Sequence, residues 1–284
     1  MSDQTQLFPI GVPTVHEVFR AIESELFREF EMFSNQYLED FQDCLTNYRW
    51  IRDALHQWSR IYEYPFCFHY LRQSLPVGSK VLDAGAGVTF FPFLLEKDYQ
   101  VTCVDRDDYE QVYRVINAGA GTRVQFLQTD LHNIPLPSET FDAIYCISVL
   151  EHTDDYPAIL SEFHRLLKPS GVLVVTFDVS LDGNRDGIEP NKAVGILQAI
   201  QAWCNSDYSP DEFIKELNTE EIYTTEFVYG WNKKFLPWPQ STWWLEVRNW
   251  IRRDKKPIYF CDQIKMTFCN LAARKLPEKR GVIP

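Results

Sequence analysis

The sequence predicts an α/β fold: a parallel, doubly wound sheet preceded by helices and carrying an aromatic insert near its end. Three observations predict it. Between Lys80 and Asp178, short apolar runs alternate with helical patterns, the order that yields a parallel sheet with helices on both faces. The first apolar run empties directly into a Gly-x-Gly turn, Gly85-Ala86-Gly87. The second ends in an acid, Asp105.

The elements follow in order. Thr14 and Glu17 match a capping box, and apolar residues then recur every three or four positions from Val15 to Leu45. That stripe predicts one long amphipathic helix. A break falls near Thr46-Asn47, a second helix is expected over 50–61, and Pro65 suits the first position of a third. Strands are expected over 80–83, 100–105, 123–128, 141–147 and 172–177, with helices over 90–96, 109–117 and 155–167 between them. Beyond Asp178, helices are expected near 192–203 and from the capping box Ser209/Glu212 to about Leu217, and strands over 221–229 and 263–274. We therefore divide the chain into an N-terminal helical cap (1–75) and a catalytic domain (76–284), with a cofactor-binding core over 80–178 and an aromatic insert over about 230–260.

Composition narrows the function. The net charge of −12 argues against DNA or bulk RNA as a partner, because phosphate contacts call for a basic face. Seven dispersed Cys without a C-x-x-C pair suggest free buried thiols rather than a disulfide framework or a zinc site. The first residues lack a signal-peptide pattern, and no apolar run is long enough to span a bilayer. The expectation is a cytoplasmic protein without membrane or nucleic-acid partners.

The chemistry centres on the turn. Glycines there let a backbone approach a ligand closely, and an acid closing the next strand can take both hydroxyls of a ribose. Asp105 lies 22 residues after Asp83, the acid just ahead of the first glycine. A pyrophosphate over such a turn wants neutral or positive surroundings. Here Asp83 precedes the turn, and Phe90 replaces the third glycine of G-x-G-x-x-G. These features favour a nucleoside bearing an ammonium group over a dinucleotide.

From Lys80 to Asp178 the chain resembles the class I S-adenosylmethionine-dependent methyltransferases of small-molecule type, whose sheet is Rossmann-like. The acid-x-Gly-x-Gly motif of that family matches Asp83, Gly85, Ala86 and Gly87, with Thr89 departing from a further glycine often found there. The resemblance implies that Asp105 holds the ribose hydroxyls, that Arg106 lies beside the adenine, and that Asp130 in Thr129-Asp130-Leu131 meets the adenine amino group. The stretch from Phe141 through Ile147 to His152 looks like the family's fourth strand and its exit, and 167–171 like the turn before the fifth. Glu63-Tyr64-Pro65 is similar to a segment of some small-molecule members.

The expected activity is methyl transfer from S-adenosyl-L-methionine to a small molecule, with a hydroxyl oxygen as acceptor and His152 as base. Each residue also has a plainer reading: Asp130 as a turn former, His152 as packing, and the Trp-rich stretch from Trp231 to Trp250 as a packed cap or homodimer contact rather than a lid. The basic run from Arg248 to Lys256 offers either a site for an acidic substrate group or a solvated face. No metal is assigned to the acids Asp182, Asp186 and Glu189, whose spacing fits no ligand pattern. A non-catalytic S-adenosylmethionine-binding scaffold or partner subunit is the alternative. Protein or RNA methylation and a nicotinamide oxidoreductase rank behind it.

Overall fold

The computed structural model describes residues 7–46, 48–183, 186–238 and 260–277. Helix α1 (Val15–Glu23) opens with the predicted capping box: the Thr14 hydroxyl accepts from the Glu17 amide, and the Glu17 carboxylate accepts from the Thr14 amide. The apolar stripe continues past it, but the helix does not. Ser24 is extended (φ −69°, ψ 156°), and its hydroxyl accepts from the Phe27 amide at 3.1 Å to start α2 (Glu25–Phe41). A serine that serves both as stop and as N-cap turns one expected helix into two.

The helix expected over 50–61 does not form. Turns run through that segment, and α3 (Arg60–Ser74) begins only at its end. Pro65 sits inside α3 rather than at its first position. This helix is apolar on nearly every side, with Ile61, Tyr62, Phe66, Cys67 and Leu71 all sealed, as befits a helix buried within the domain.

The sheet elements then alternate: β1 (Lys80–Ala84), α4 (Phe91–Leu95), β2 (Gln100–Asp105), α5 (Glu110–Ala120), β3 (Gln125–Gln128), β4 (Phe141–Ile147), α6 (Tyr156–Leu166) and β5 (Leu167–Ser180). Gly121, at φ +69°, closes α5 in the left-handed conformation. The Lys168–Gly171 turn survives as a bulge, since pairing with β4 jumps from Phe141↔Leu167 to Ala143↔Val172. Helix α7 (Pro190–Gln201), the two-residue β6 (Cys204–Asn205) and α8 (Pro210–Leu217) follow.

The strand expected over 221–229 is a helix instead, α9 (Thr225–Trp231). The Thr224 hydroxyl accepts from the Phe227 amide at 3.2 Å, and only Ile222 makes a β-bridge, to Thr14. Strand β7 (Met266–Lys275) then enters the sheet antiparallel to β5. The seven strands run in the order β3-β2-β1-β4-β5-β7-β6, with β1 to β5 parallel and β6 and β7 antiparallel to their neighbours.

Alternate strand residues face two cores. Val81, Val101, Tyr145 and Val174 share one with α1 to α5, whereas Leu82, Val104, Ile144 and Val175 share the other with α6 to α8. The order reverses between β1 and β4, which opens a crevice at their carboxyl ends. Of the aromatic stretch, Trp231 packs on Phe19 of α1 at 4.9 Å. Trp243, Trp244, Trp250 and the basic run lie outside the described residues. Among the described residues, no helix is long and apolar enough to cross a membrane.

The cap shares the sheet's core. Phe30 of α2 is 1% exposed and meets the rings of Phe68, Phe90 and Phe91 within 6 Å. Phe30→Ala is expected to lower the unfolding free energy by about 3–5 kcal/mol, the usual range for a buried Phe, measured by urea denaturation. A loss below about 1 kcal/mol would mean that the cap docks loosely.

Candidate active site

The turn after β1 is built by short-range necessity. Gly85 and Gly87 hold φ values of +81° and +53°, where a side chain is strained. A Cβ on Gly85 would also lie 2.5 Å from the Val149 side chain. The amides of Gly85 and Ala86 both donate to the Val104 carbonyl. The Gly87 amide donates to Asp105 Oδ2 at 2.9 Å, and the Asp107 amide to Asp105 Oδ1 at 2.9 Å. Each carboxylate oxygen of Asp105 still has room for a further donor.

The turn opens on a cleft of about 710 Å³ at the carboxyl ends of β1, β2 and β4. Of the residues expected at the site, Gly85, Ala86, Gly87, Asp105, Arg106, Asp130, Leu131, Ile147 and His152 line it together. Two do not. The Thr129 amide donates to the Asp105 carbonyl at 2.8 Å, off the cleft wall. Asp83 lies under the turn, 5% exposed, and faces the cap side of the sheet like Val81. Burial pushes its carboxyl up to about 8, with the charge of Asp105 acting in the same direction. Asp130 accepts from the His132 amide and also contacts its ring, and these contacts lower its pKa although the residue is exposed. A second hollow, of about 600 Å³ beside Lys80, Gln100 and Arg123, lies at the opposite end of the sheet, away from the ends where such folds bind ligands.

His152 ends a single 3₁₀ turn (Leu150–His152) and stacks on Trp50 at 5.8 Å. It stands open to the cleft, yet protein surrounds enough of the ring to lower its pKa. Desolvation is the largest cause and Arg60 adds to it, while Asp186 opposes. The imidazole is therefore neutral near pH 7, with a lone pair available.

The cleft's other wall is not foreseen from the sequence. Tyr48 covers the turn, its hydroxyl accepting from the Val88 amide at 3.0 Å. Arg60 of α3 lies at the cleft floor, 2.6 Å from the fully buried Glu63 carboxylate. Ser148, at the exit of β4, is held at φ +46° and donates to Glu63 at 2.8 Å, while Arg60 also donates to the Ser148 hydroxyl. In the sequence, Glu63 and Tyr64 stand out only within the Glu63-Tyr64-Pro65 likeness. The stretch over 50–61 reads as a helix in the sequence, so no local signal marks it as a cleft wall.

Residues 82–175 match the model of a family described as a methyltransferase domain. Curated relatives match a comparable length of the chain. The sterol 24-C-methyltransferase ERG6B of Gibberella zeae is 32% identical over 114 residues, covering 38% of this chain and 30% of that protein. Phosphoethanolamine N-methyltransferase 3 of Arabidopsis thaliana is 30% identical over 105 residues, covering 36% of this chain and 21% of that protein. The matches thus span under a third of those relatives. Among solved structures, the [4+2]-cyclase SpnF shares the fold at a TM-score of 0.51 and 18% identity, covering 95% of this chain and all of that one.

The position of Asp83 yields a pH test. Its folded pKa is raised above the ordinary carboxylate value, so the folded chain keeps a proton that the unfolded chain loses. That contribution is complete below about pH 4 and disappears as pH rises through about 8. Asp83→Asn should match wild type near pH 4 and exceed its stability at pH 8 by at least about 1 kcal/mol, one pKa unit being worth about 1.4 kcal/mol. Parallel chemical-denaturation curves at the two pH values would measure this. An equal deficit at both would place an ionised carboxylate there.

Proposed function

We propose that this chain, whose core is a class I S-adenosylmethionine-dependent methyltransferase domain, transfers the methyl group to a hydroxyl oxygen of a small molecule held between that core and the N-terminal helices. The observation that carries this reading is one cleft shared by the glycine turn, the free acceptor positions of Asp105 and a neutral His152. The volume lies within the range of small-molecule sites. The cofactor's residues are proposed as follows: Asp105 takes the ribose hydroxyls, Arg106, Asp130 and Leu131 flank the adenine, and Gly85, Ala86, Gly87 and Ile147 let the chain approach the amino-acid arm. Thr129 and Asp83 act from behind this wall, through the backbone of Asp105 and beneath the turn. The surrounding Asp105, Asp107 and Asp130 suit a cationic ligand and disfavour a pyrophosphate.

Bound there, the cofactor supplies a methyl group on a sulfonium, whose departure needs no protein acid. What remains for the chain is alignment and a single proton. His152 accepts the proton that the acceptor hydroxyl loses. Tyr48 and Trp50 cover the cleft from the cap side and limit the entry of water.

Calorimetric titration with S-adenosylmethionine should give micromolar binding, and Asp105→Ala should weaken it by about 1–3 kcal/mol by removing hydrogen bonds to a charged acceptor. Unchanged affinity would put the ribose elsewhere. With a turned-over acceptor in hand, His152→Ala should cut kcat by about 10²–10⁴ while leaving cofactor affinity unaltered. A rate within a few fold of wild type would reduce His152 to packing. Cofactor heat without transfer of labelled methyl to any of a broad metabolite panel would instead favour a non-catalytic scaffold.

A further inference from the structure

The fold and the proton-accepting role of His152 leave one part of the cleft unexplained. Asp178, near the end of β5, is 8% exposed, lines the cleft, and carries an Oδ1 without a hydrogen-bond partner. Nearby, both carboxylate oxygens of Glu151 are buried and meet no side-chain donor, with only backbone amides of Glu151 and Asp178 to ease the charge. The nearby cation, Arg60, is engaged by Glu63 and Ser148. Asp186 stands on the same wall, its Oδ2 accepting from the Trp238 indole at 2.9 Å. Buried carboxyls in such a group cannot all ionise beside a single guanidinium. Burial, and then the mutual repulsion of Glu151, Glu63 and Asp178, raises the Asp178 pKa against the pull of Arg60. Without a ligand, protons fill the deficit.

A ligand that brings its own positive charge and N–H donors would satisfy what the chain leaves open. Among the described residues, no group of three or more His, Cys, Asp or Glu side chains is arranged to hold a metal ion. The same cleft is lined by Trp50, Trp58 and Trp238, so the fitting ligand pairs an apolar body with an organic cation.

We infer that the methyl acceptor is an amine-bearing molecule whose ammonium group docks on Asp178 beside Asp186, with its apolar part against the Trp rings. This rests on the cleft being the methyltransferase site, and it adds the charge class of the substrate. The ammonium nitrogen anchors the molecule and presents a neighbouring hydroxyl to His152.

The test uses the full chain saturated with S-adenosylhomocysteine at pH 7.5, with benzylamine and benzyl alcohol as matched probes, one cationic and one neutral. Calorimetry should show benzylamine binding at least about tenfold tighter, a difference of about 1.4 kcal/mol. Asp178→Asn should reduce the preference to within about twofold, and its melting temperature should not fall, since the exchange removes an unpartnered buried acid. Asp186→Asn should diminish the preference in part, and it serves as the second variant if Asp178→Asn does not fold. Equal or absent binding of the two probes to wild type overturns the inference, as does a preference that survives both substitutions. Failure of the underlying reading registers separately, as missing heat for S-adenosylhomocysteine. The amine preference can then still be measured on the protein alone.

Discussion

A half-buried arginine on α3 and a fully buried glutamate one turn later organise the molecule. Glu63 is wholly enclosed, while Arg60 reaches it from the cleft with part of its side chain still exposed. Such a pair persists only where further hydrogen bonds complete it. Ser148 provides them, from a left-handed backbone position that few non-glycine residues occupy. The contact joins the last helix before the sheet to the exit of β4, 85 residues along the chain. That junction ties α3 to the exit of β4 at the cleft, two residues ahead of the 3₁₀ turn bearing His152.

The cleft gathers acids at two places for two different reasons. Around the glycine turn, Asp105 is pinned by backbone amides and keeps acceptor capacity toward the opening. Around Asp178, the acids are enclosed and short of donors. The first arrangement suits ribose hydroxyls, and the second suits a counter-charge. Between the two, His152 is kept neutral by the same enclosure that raises the carboxyls, because desolvation acts in opposite directions on a base and an acid.

The parallel strands were legible because buried strands read as short apolar runs bounded by turns, and β4 falls where expected. The glycine turn and Asp105 were legible because their roles are local. Asp83 shows the limit of a motif: strand parity places it with Val81 on the cap side, so its position in the signature says less than its alternation does. Ser24 could not be read as a break, since the apolar stripe runs through it and only its cap bond to Phe27 shows the change. The segment over 221–229 looked like a strand until Thr224 began a helix there. The wall formed by Tyr48, Trp50 and Arg60 depends on contacts with residues 40 to 102 positions away: Tyr48 with Val88, His152 with Trp50 and Arg60 with Ser148. No local window contains them.

The segment ahead of α1 is stitched to the far end of the chain. Gly11 exchanges both backbone hydrogen bonds with Asn270 in β7, and Thr14 bridges Ile222. In synthesis, Thr14 waits for Ile222 and Gly11 waits longer still, until Asn270 in β7 has been made. The sheet from β1 to β5 can assemble meanwhile, because its partners are neighbours in synthesis. The strap ahead of α1 is thus fastened after the parallel strands, and a stalled, half-made chain would carry paired strands beside an unfastened lead segment.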